Sequence, residues 1–219
     1  MDFKKLKERL ANLDTACIYD VNEKLRVMDP EIRPLNQGIK MIGIARTVHC
    51  KRDFLSVLKA LHDSGEGEVL VIDAEGDKIA FVGELFALEA QRKKLAGIVV
   101  DGACRDIKGI RNINFPVYSR YVTPMVGTSS NIFPAQKKVN CGGVSVSQGD
   151  IIVGDDDGII VMSEKEAAEI LDTAQNIQII EKKVIEKMET GKSLTEMLNF
   201  FDHYAKIDKK QESQLIFTI

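Results

Sequence analysis

Two short segments carry residue types that chemistry needs, and each follows an apolar run. The first is Gly83-Glu84-Leu85-Phe86, placed after Ile79–Val82 at the start of a helical pattern. Glycine lets a ligand approach the backbone. The N–H groups of a helix's first turn have no intrahelical partner and converge on one point. With the helix dipole they make a seat for a carboxylate or phosphate. The second segment is Asp101-Gly102-Ala103-Cys104-Arg105-Asp106, placed after the apolar run Gly97–Val100. Polar residues beyond a sheet strand's carboxyl end face the crevice where α/β folds bind ligands. Arg105 offers a planar fork for a carboxylate. Asp106 is a hard oxygen ligand of the kind Mg²⁺ or Mn²⁺ accepts. Alone, each segment also has a plain structural reading: a strand-to-helix turn for the first, a surface ion pair or helix N-cap for the second. Together they supply backbone donors, a guanidinium and a metal carboxylate. That set can hold a small dicarboxylate or 2-oxo acid, with water and substrate completing the metal's shell.

Other chemistries find less support. The sequence contains no GxGxxG, GxxxxGK, GxSxG or HExxH pattern. The histidines, at 49, 62 and 203, are scattered, and the cysteines, at 17, 50, 104 and 141, form no CxxC pair. In a reducing compartment such cysteines are expected to be small buried hydrophobes. Asp155-Asp156-Asp157-Gly158 superficially resembles a calcium loop. It lacks the alternating ligand spacing and the closing glutamate of such loops, so a tight hairpin turn with solvated carboxylates is expected.

The elements that must position these residues follow from periodicity. Phe3, Leu6, Leu10 and Leu13 mark an opening amphipathic helix, and a second, capped by Asp14 or Thr15, carries Cys17, Val21 and Leu25. Pro30 and Pro34 predict a loop. Strands are expected over 43–48, 69–72, 79–82 and 97–100, with helices at 54–61 and 84–95, the latter placing Leu85, Leu88 and Leu95 on one side. Strands alternating with helices predict an α/β domain. Strands at 142–146, 151–153 and 159–162 come next. Ser163 and Glu166 then form a capping box that opens a long helix with Ala167, Ile170, Leu171, Ala174, Ile177, Val184 and Met188 as its stripe, ending at Gly191. Residues 199–219 read as a polar tail with a final apolar Leu215-Ile216-Phe217.

The 219 residues suit one domain with an added helical tail, and 44% hydrophobic with 29% charged residues is enough apolar material for one core. A net charge of −3 and a pI near 5.7 predict neither a general nucleic-acid nor a membrane surface. No apolar run approaches the roughly 20 residues that span a bilayer, and Met1–Arg9 lacks the apolar stretch of a signal peptide. A cytoplasmic protein is expected.

Gly83–Phe86 followed by Ala96–Asp106 resembles the RraA-like family, which includes 4-hydroxy-4-methyl-2-oxoglutarate aldolases with oxaloacetate decarboxylase activity. Thr15–Leu25, Gly65–Asp73, Phe115–Tyr118, Val139–Asp157 and Gly191–Leu194 also match in order, so the resemblance covers about residues 10 to 198. It implies a compact α/β fold with a β-sandwich or barrel-like core flanked by helices, similar to the swivelling phosphohistidine domain, with a C-terminal helix. It implies an RraA-like domain over 1–198, leaving 199–219 unassigned. It also implies a homotrimer or hexamer with the site at a subunit boundary, a small 2-oxo acid as substrate, pyruvate as product, and a divalent metal, Mg²⁺ or Mn²⁺. Residue by residue, Gly83, Glu84, Leu85 and Phe86 match the loop that binds the substrate carboxylate. Arg105 matches the substrate-binding arginine and Asp106 the metal-binding aspartate. Glu84 stands where an acidic residue, more often aspartate, handles the catalytic water.

Alternatives are weighed against this. A second branch of the family consists of regulators that bind and inhibit the RNA-degrading endonuclease E; it typically lacks the aspartate after the arginine, which this sequence keeps as Asp106. A class I aldolase would need a Schiff-base lysine, Lys78 or Lys108, but neither has an apolar setting in the sequence. A methyltransferase label is sometimes attached to the family, yet no glycine-rich nucleotide loop is present.

Overall fold

The computed structural model describes residues 2–218. The chain divides after Leu171 into two compact units. In the first, α1 (Phe3–Leu10) and α2 (Thr15–Val21) precede the short strands β1 (Arg26–Val27) and β2 (Arg33–Pro34). There follow β3 (Met41–His49), α3 (Leu55–Asp63), β4 (Glu68–Asp73), β5 (Ala80–Val82), α4 (Glu84–Arg92), β6 (Gly97–Cys104), α5 (Ile107–Asn112) and β7 (Val117–Val122). The hairpins β8 (Lys138–Cys141) with β9 (Val144–Ser147) and β10 (Ile151–Gly154) with β11 (Ile159–Met162) lead into α6 (Glu164–Glu189).

The large sheet is mixed, in the order β1-β11-β10-β3-β4-β6-β7-β2, with β5 on the far end of β6. Its centre, β3-β4-β6-β7, is parallel, and β10 and β11 extend it antiparallel. Strands in the centre are buried on both faces, and alternate side chains serve two cores. Leu70, Ile72, Ile98, Val100 and Val117 face the helix side, packing with Val57 and Leu61 of α3, Ala87 and Ala90 of α4, and Ile110 of α5. Met41, Val69, Val71, Val99 and Tyr118 face the other way, with Ile152, Ile159 and Val161. The sheet curls around this second core. The Tyr118 hydroxyl on β7 donates to the Asp155 carbonyl beside β10, at 3.0 Å, although three strands lie between them in the sheet.

Three expectations need correction. Leu85 and Leu88 do not face the core of α4; they are exposed, and Ala87 and Ala90 are buried instead. Small side chains let the helix sit close to the sheet, and Phe86 fills the gap edge-on to Phe54. The strand before Arg105 does not stop at Val100. It runs to Cys104 past an irregularity between Val100 and Ala103, with all eight residues buried. Burial of Asp101 is compatible with this because Arg120 donates to it at 2.6 Å. Lastly, the carboxylates of the Asp155–Gly158 turn are not merely solvated. Asp155 accepts from the Thr15 N–H at 2.7 Å and hydroxyl at 2.6 Å, capping α2 from across the chain, while Asp156 accepts from the Gly38 N–H at 2.9 Å.

In the second unit α6 ends before Gly191, and Ser193 and Glu196 form a capping box on a 3₁₀ turn at Leu194–Met197. The segment read as a polar tail contains α7 (Phe200–Asp208), and Asn199 ties down the chain beyond it through Gln214 and Ile216.

Candidate functional site

The two segments singled out in the sequence meet at one place, because β5 and β6 are parallel neighbours whose carboxyl ends lie side by side. The Arg105 N–H donates to the Val82 carbonyl at 3.0 Å, fastening the second segment to the residue before Gly83. Gly83 is the N-cap residue of α4. A Cβ there would collide with the Asp106 carboxylate and come within 3.2 Å of Arg105 Cγ. Glycine is thus what allows Arg105 and Asp106 to approach the helix start.

Asp106 occupies the N-cap position of α5 in the left-handed region, at φ 58° and ψ 38°, yet its side chain makes no capping hydrogen bond. Aspartate adopts left-handed backbone more readily than most residues with a side chain, and here that conformation leaves its carboxylate free of the helix start. The carboxylate instead faces the cleft, with Arg105 Nε 3.4 Å from its Oδ2 and both side chains close to half exposed. An exposed pair at that distance contributes little to stability. Asp106 also lines an open cavity of about 450 Å³ with Glu84, Ile107, Lys108, Gly109 and Asn112.

The first turn of α4 supplies its donors incompletely. The Phe86 N–H already donates to the Gly83 carbonyl at 3.1 Å. Glu84 and Leu85 hold first-turn N–H groups without intrahelical partners, and Gly83 provides no side-chain cap. Phe86 therefore serves the core, through Phe54, while Leu85 is exposed.

The donor set suits a hard cation. The oxygens lining the cavity include the Glu84 and Asp106 carboxylates, with no sulfur or imidazole beside them, and Mg²⁺ typically takes one or two carboxylates and keeps several waters. Among the described residues no cluster of three or more His, Cys, Asp or Glu forms a closed metal cage. All four cysteines are buried, and Cys50, Cys104 and Cys141 are free thiols. Burial pushes the Cys104 thiol up to about 12 and Cys50 higher still, so neither is a nucleophile at neutral pH.

Two polar networks lay outside the sequence reading. Arg120 joins Asp101, Asp29 and Glu31 at 2.6, 2.8 and 2.6 Å, and the other oxygen of Asp101 accepts from the Gly142 N–H. Burial opposes the charge on Arg120, but the three carboxylates more than offset it and hold the guanidinium protonated. Asp53, fully buried, gathers donors from Leu55, Thr128, Ser130 and Asn131. Both networks join residues far apart in the chain.

Comparison with known proteins gives the chain's family. The family described as RraA-like, Aldolase/RraA, matches residues 15–161. A protein of Halalkalibacterium halodurans, provisionally named 4-hydroxy-4-methyl-2-oxoglutarate aldolase, is 38% identical over 168 residues, covering 76% of this chain and 80% of its own. Among solved structures, Streptomyces coelicolor RraAS2, described as an unusual member of the RNase ES inhibitor RraA family, is 30% identical with a TM-score of 0.73, covering 84% of this chain and 98% of its own. The RNA-processing inhibitor RraA of Thermus thermophilis is 26% identical with a TM-score of 0.64, covering 69% and 93%. The chain belongs to the RraA-like family.

Proposed function

We propose that this protein is a cytoplasmic, divalent-metal-dependent lyase, a class II pyruvate aldolase that also decarboxylates oxaloacetate. The observation that carries the reading is Asp106: held in left-handed backbone, uncapped, and facing a cavity beside Arg105 and the start of α4. Asp106 would hold Mg²⁺ or Mn²⁺, with water and substrate completing the shell, which leaves Glu84, at the same cavity, to act as base. When bound, the cation supplies Lewis-acid stabilisation of the charge that develops on the 2-oxo group.

The remaining roles fall to the chain itself. The N–H groups at the start of α4, Glu84 and Leu85 foremost, grip a substrate carboxylate, with Gly83 and Phe86 shaping the turn. The Arg105 guanidinium binds the 2-oxo acid and stabilises the enolate oxygen as the C–C bond breaks. For 4-hydroxy-4-methyl-2-oxoglutarate, Glu84 accepts the hydroxyl proton through a water. The bonding pair passes to the departing pyruvate enolate, the second product is also pyruvate, and the proton returns to the enolate carbon. Oxaloacetate loses CO₂ to the same enolate without needing the base, and a proton from water at the enolate carbon completes pyruvate. Leu85, Val122, Met125 and Val126 are exposed apolar side chains on the segments around the site. They support the trimeric or hexameric assembly that the family implies, with a small 2-oxo acid rather than nucleic acid or membrane as the partner.

The test is decarboxylation of oxaloacetate in Mg²⁺ or Mn²⁺, with oxalate as inhibitor. Oxalate is planar and carries two vicinal oxygens, like the pyruvate enolate, so a site built for the enolate should bind it well. Free Mn²⁺ decarboxylates oxaloacetate slowly, so Asp106→Asn protein with the same metal is the control. The amide removes the charge that recruits a hard cation. Wild-type protein is expected to exceed the variant clearly and to be inhibited by oxalate. Equal rates would sink the lyase reading and leave endonuclease binding as the leading one, the Thermus neighbour being described as an RNA-processing inhibitor.

A further inference from the structure

We propose that Gly109 is a positioning residue for Glu84: the missing side chain lets the Glu84 carboxylate lie against α5, at the cavity that Asp106 faces. The placement rests on geometry alone; its catalytic consequence rests on the lyase reading above.

A Cβ built on Gly109 would lie 2.6 Å from Glu84 Oε1 and closer still to Cδ and Oε2. These are its three nearest atoms, and all belong to Glu84. Backbone conformation gives no other reason for glycine here, since Gly109 sits within α5 and is not among the residues with positive φ. Within a helix, glycine is otherwise a poor choice beside alanine. Gly109, Glu84 and Asp106 line the same cavity. The arrangement is reciprocal. Gly83, next to Glu84, makes room for Asp106; Gly109, one turn after Asp106, makes room for Glu84. Two helix starts thus interlock, each laying a carboxylate over the other's glycine.

A methyl group at 109 would not need to break the fold, because the atoms in its way are the free end of a flexible side chain. Glu84 would swing aside. The base would then be lost from its place while Arg105 and Asp106 kept theirs. Proton transfer by a placed base contributes about 10² to 10⁴ in rate. Aldol cleavage needs that base and decarboxylation does not. Gly109→Ala should therefore lower kcat for 4-hydroxy-4-methyl-2-oxoglutarate cleavage by about 10²-fold or more, and lower oxaloacetate decarboxylation far less. Adding Glu84→Asp, one carbon shorter, should restore part of the aldol rate lost in Gly109→Ala.

The experiment measures pyruvate release from both substrates for wild type, Gly109→Ala and the Gly109→Ala/Glu84→Asp double variant. Thermal unfolding of wild type, Gly109→Ala, Glu84→Ala and Gly109→Ala/Glu84→Ala runs alongside it. A selective aldol loss with partial rescue is expected. Equal loss of both activities, or of neither, would overturn the positioning role. The unfolding series needs no turnover. Alanine at 109 should raise Tm more when Glu84 is already alanine than when the carboxylate must be displaced. Equal shifts in the two backgrounds would overturn the placement. If wild type cleaves neither substrate, the lyase reading fails, and the unfolding series still decides where Glu84 lies.

Discussion

Asp53→Asn is a small change with a large expected cost. The carboxylate is fully buried. One oxygen accepts from the Leu55 N–H at 2.9 Å; the other accepts from the Thr128 hydroxyl at 2.6 Å and from the Ser130 N–H, Asn131 N–H and Asn131 amide at 2.7, 2.9 and 3.2 Å. Among the described residues it has no cationic partner, so charge-assisted hydrogen bonds alone hold it. An amide of the same shape must turn its NH₂ toward donors at one end or the other. The better choice abandons the Leu55 N–H, and a buried unsatisfied donor costs about 1–3 kcal/mol. The bonds that remain become neutral and weaken, while relief of the buried charge offsets part of the loss. We expect a net destabilisation of about 3 kcal/mol, on the order of 10 °C in Tm for a chain of this size. Burial alone would raise the carboxyl's pKa, but the Thr128 hydroxyl and the Leu55, Ser130 and Asn131 N–H groups outweigh it and hold it well below the usual range. A lowered pKa contributes stability that is fully present above the unfolded value, about 3.9, and is lost as pH falls toward the folded one. Urea unfolding followed by circular dichroism should thus show a gap between wild type and variant at pH 7 that narrows at pH 3. Equal stability at pH 7, or a gap that widens on acidification, would refute the reasoning. The site should feel the change as well. Thr128 exchanges hydrogen bonds with Arg52 and Phe54, and Met125 and Gly127 with Ala80, where β5 begins its run to Gly83.

Two further outcomes follow from the site. Arg105→Lys should lose about 10² to 10³ in the rate of pyruvate formation, the usual cost of removing one oxyanion donor, since a point charge cannot reproduce the guanidinium fork; near-wild-type kinetics would remove Arg105 from the mechanism. Borohydride added during turnover should leave the protein's mass unchanged, because no lysine imine forms; a reduced pyruvyl adduct on Lys78 or Lys108 would replace the metal mechanism with a Schiff-base one.

The sequence was most legible where structure is local. Apolar runs named the central strands β4 and β6, the Ser163–Glu166 capping box placed the start of α6, and both site segments lie at strand ends as their polar residues imply. It was least legible where long-range contacts override local pattern. Leu85 and Leu88 read as one apolar side of a helix, but they are exposed, and Ala87 and Ala90 are buried with Phe86 packed against the core. Asp101 reads as the end of a strand, but Arg120, nineteen residues on, neutralises it within the strand. Asp53 carried no signal at all, since its donors at 128–131 lie about seventy-five residues away. Gly109 carried none either: no helix was expected over 107–112, so nothing marked it as a helical glycine without a backbone need.

Charge alone does not distinguish the acidic residues that build this protein from those proposed to act; the count of donors around each does. Asp53, Asp101 and Asp155 each accept hydrogen bonds at both oxygens, and each is bonded to at least one segment distant in sequence. Such carboxylates are committed: a cation or substrate could engage them only by dismantling the loops they hold. Asp106 is different. Among the described residues its one ion-pair partner is the neighbouring Arg105, at 3.4 Å and half exposed, and its position at a helix N-cap is not used for capping. A carboxylate placed in left-handed backbone, given room by a glycine, and left with unfilled acceptor capacity is costly for stability and useful for binding. That contrast gives the acidic groups of the cleft, rather than the more deeply buried and more elaborately bonded ones, the claim to the chemistry.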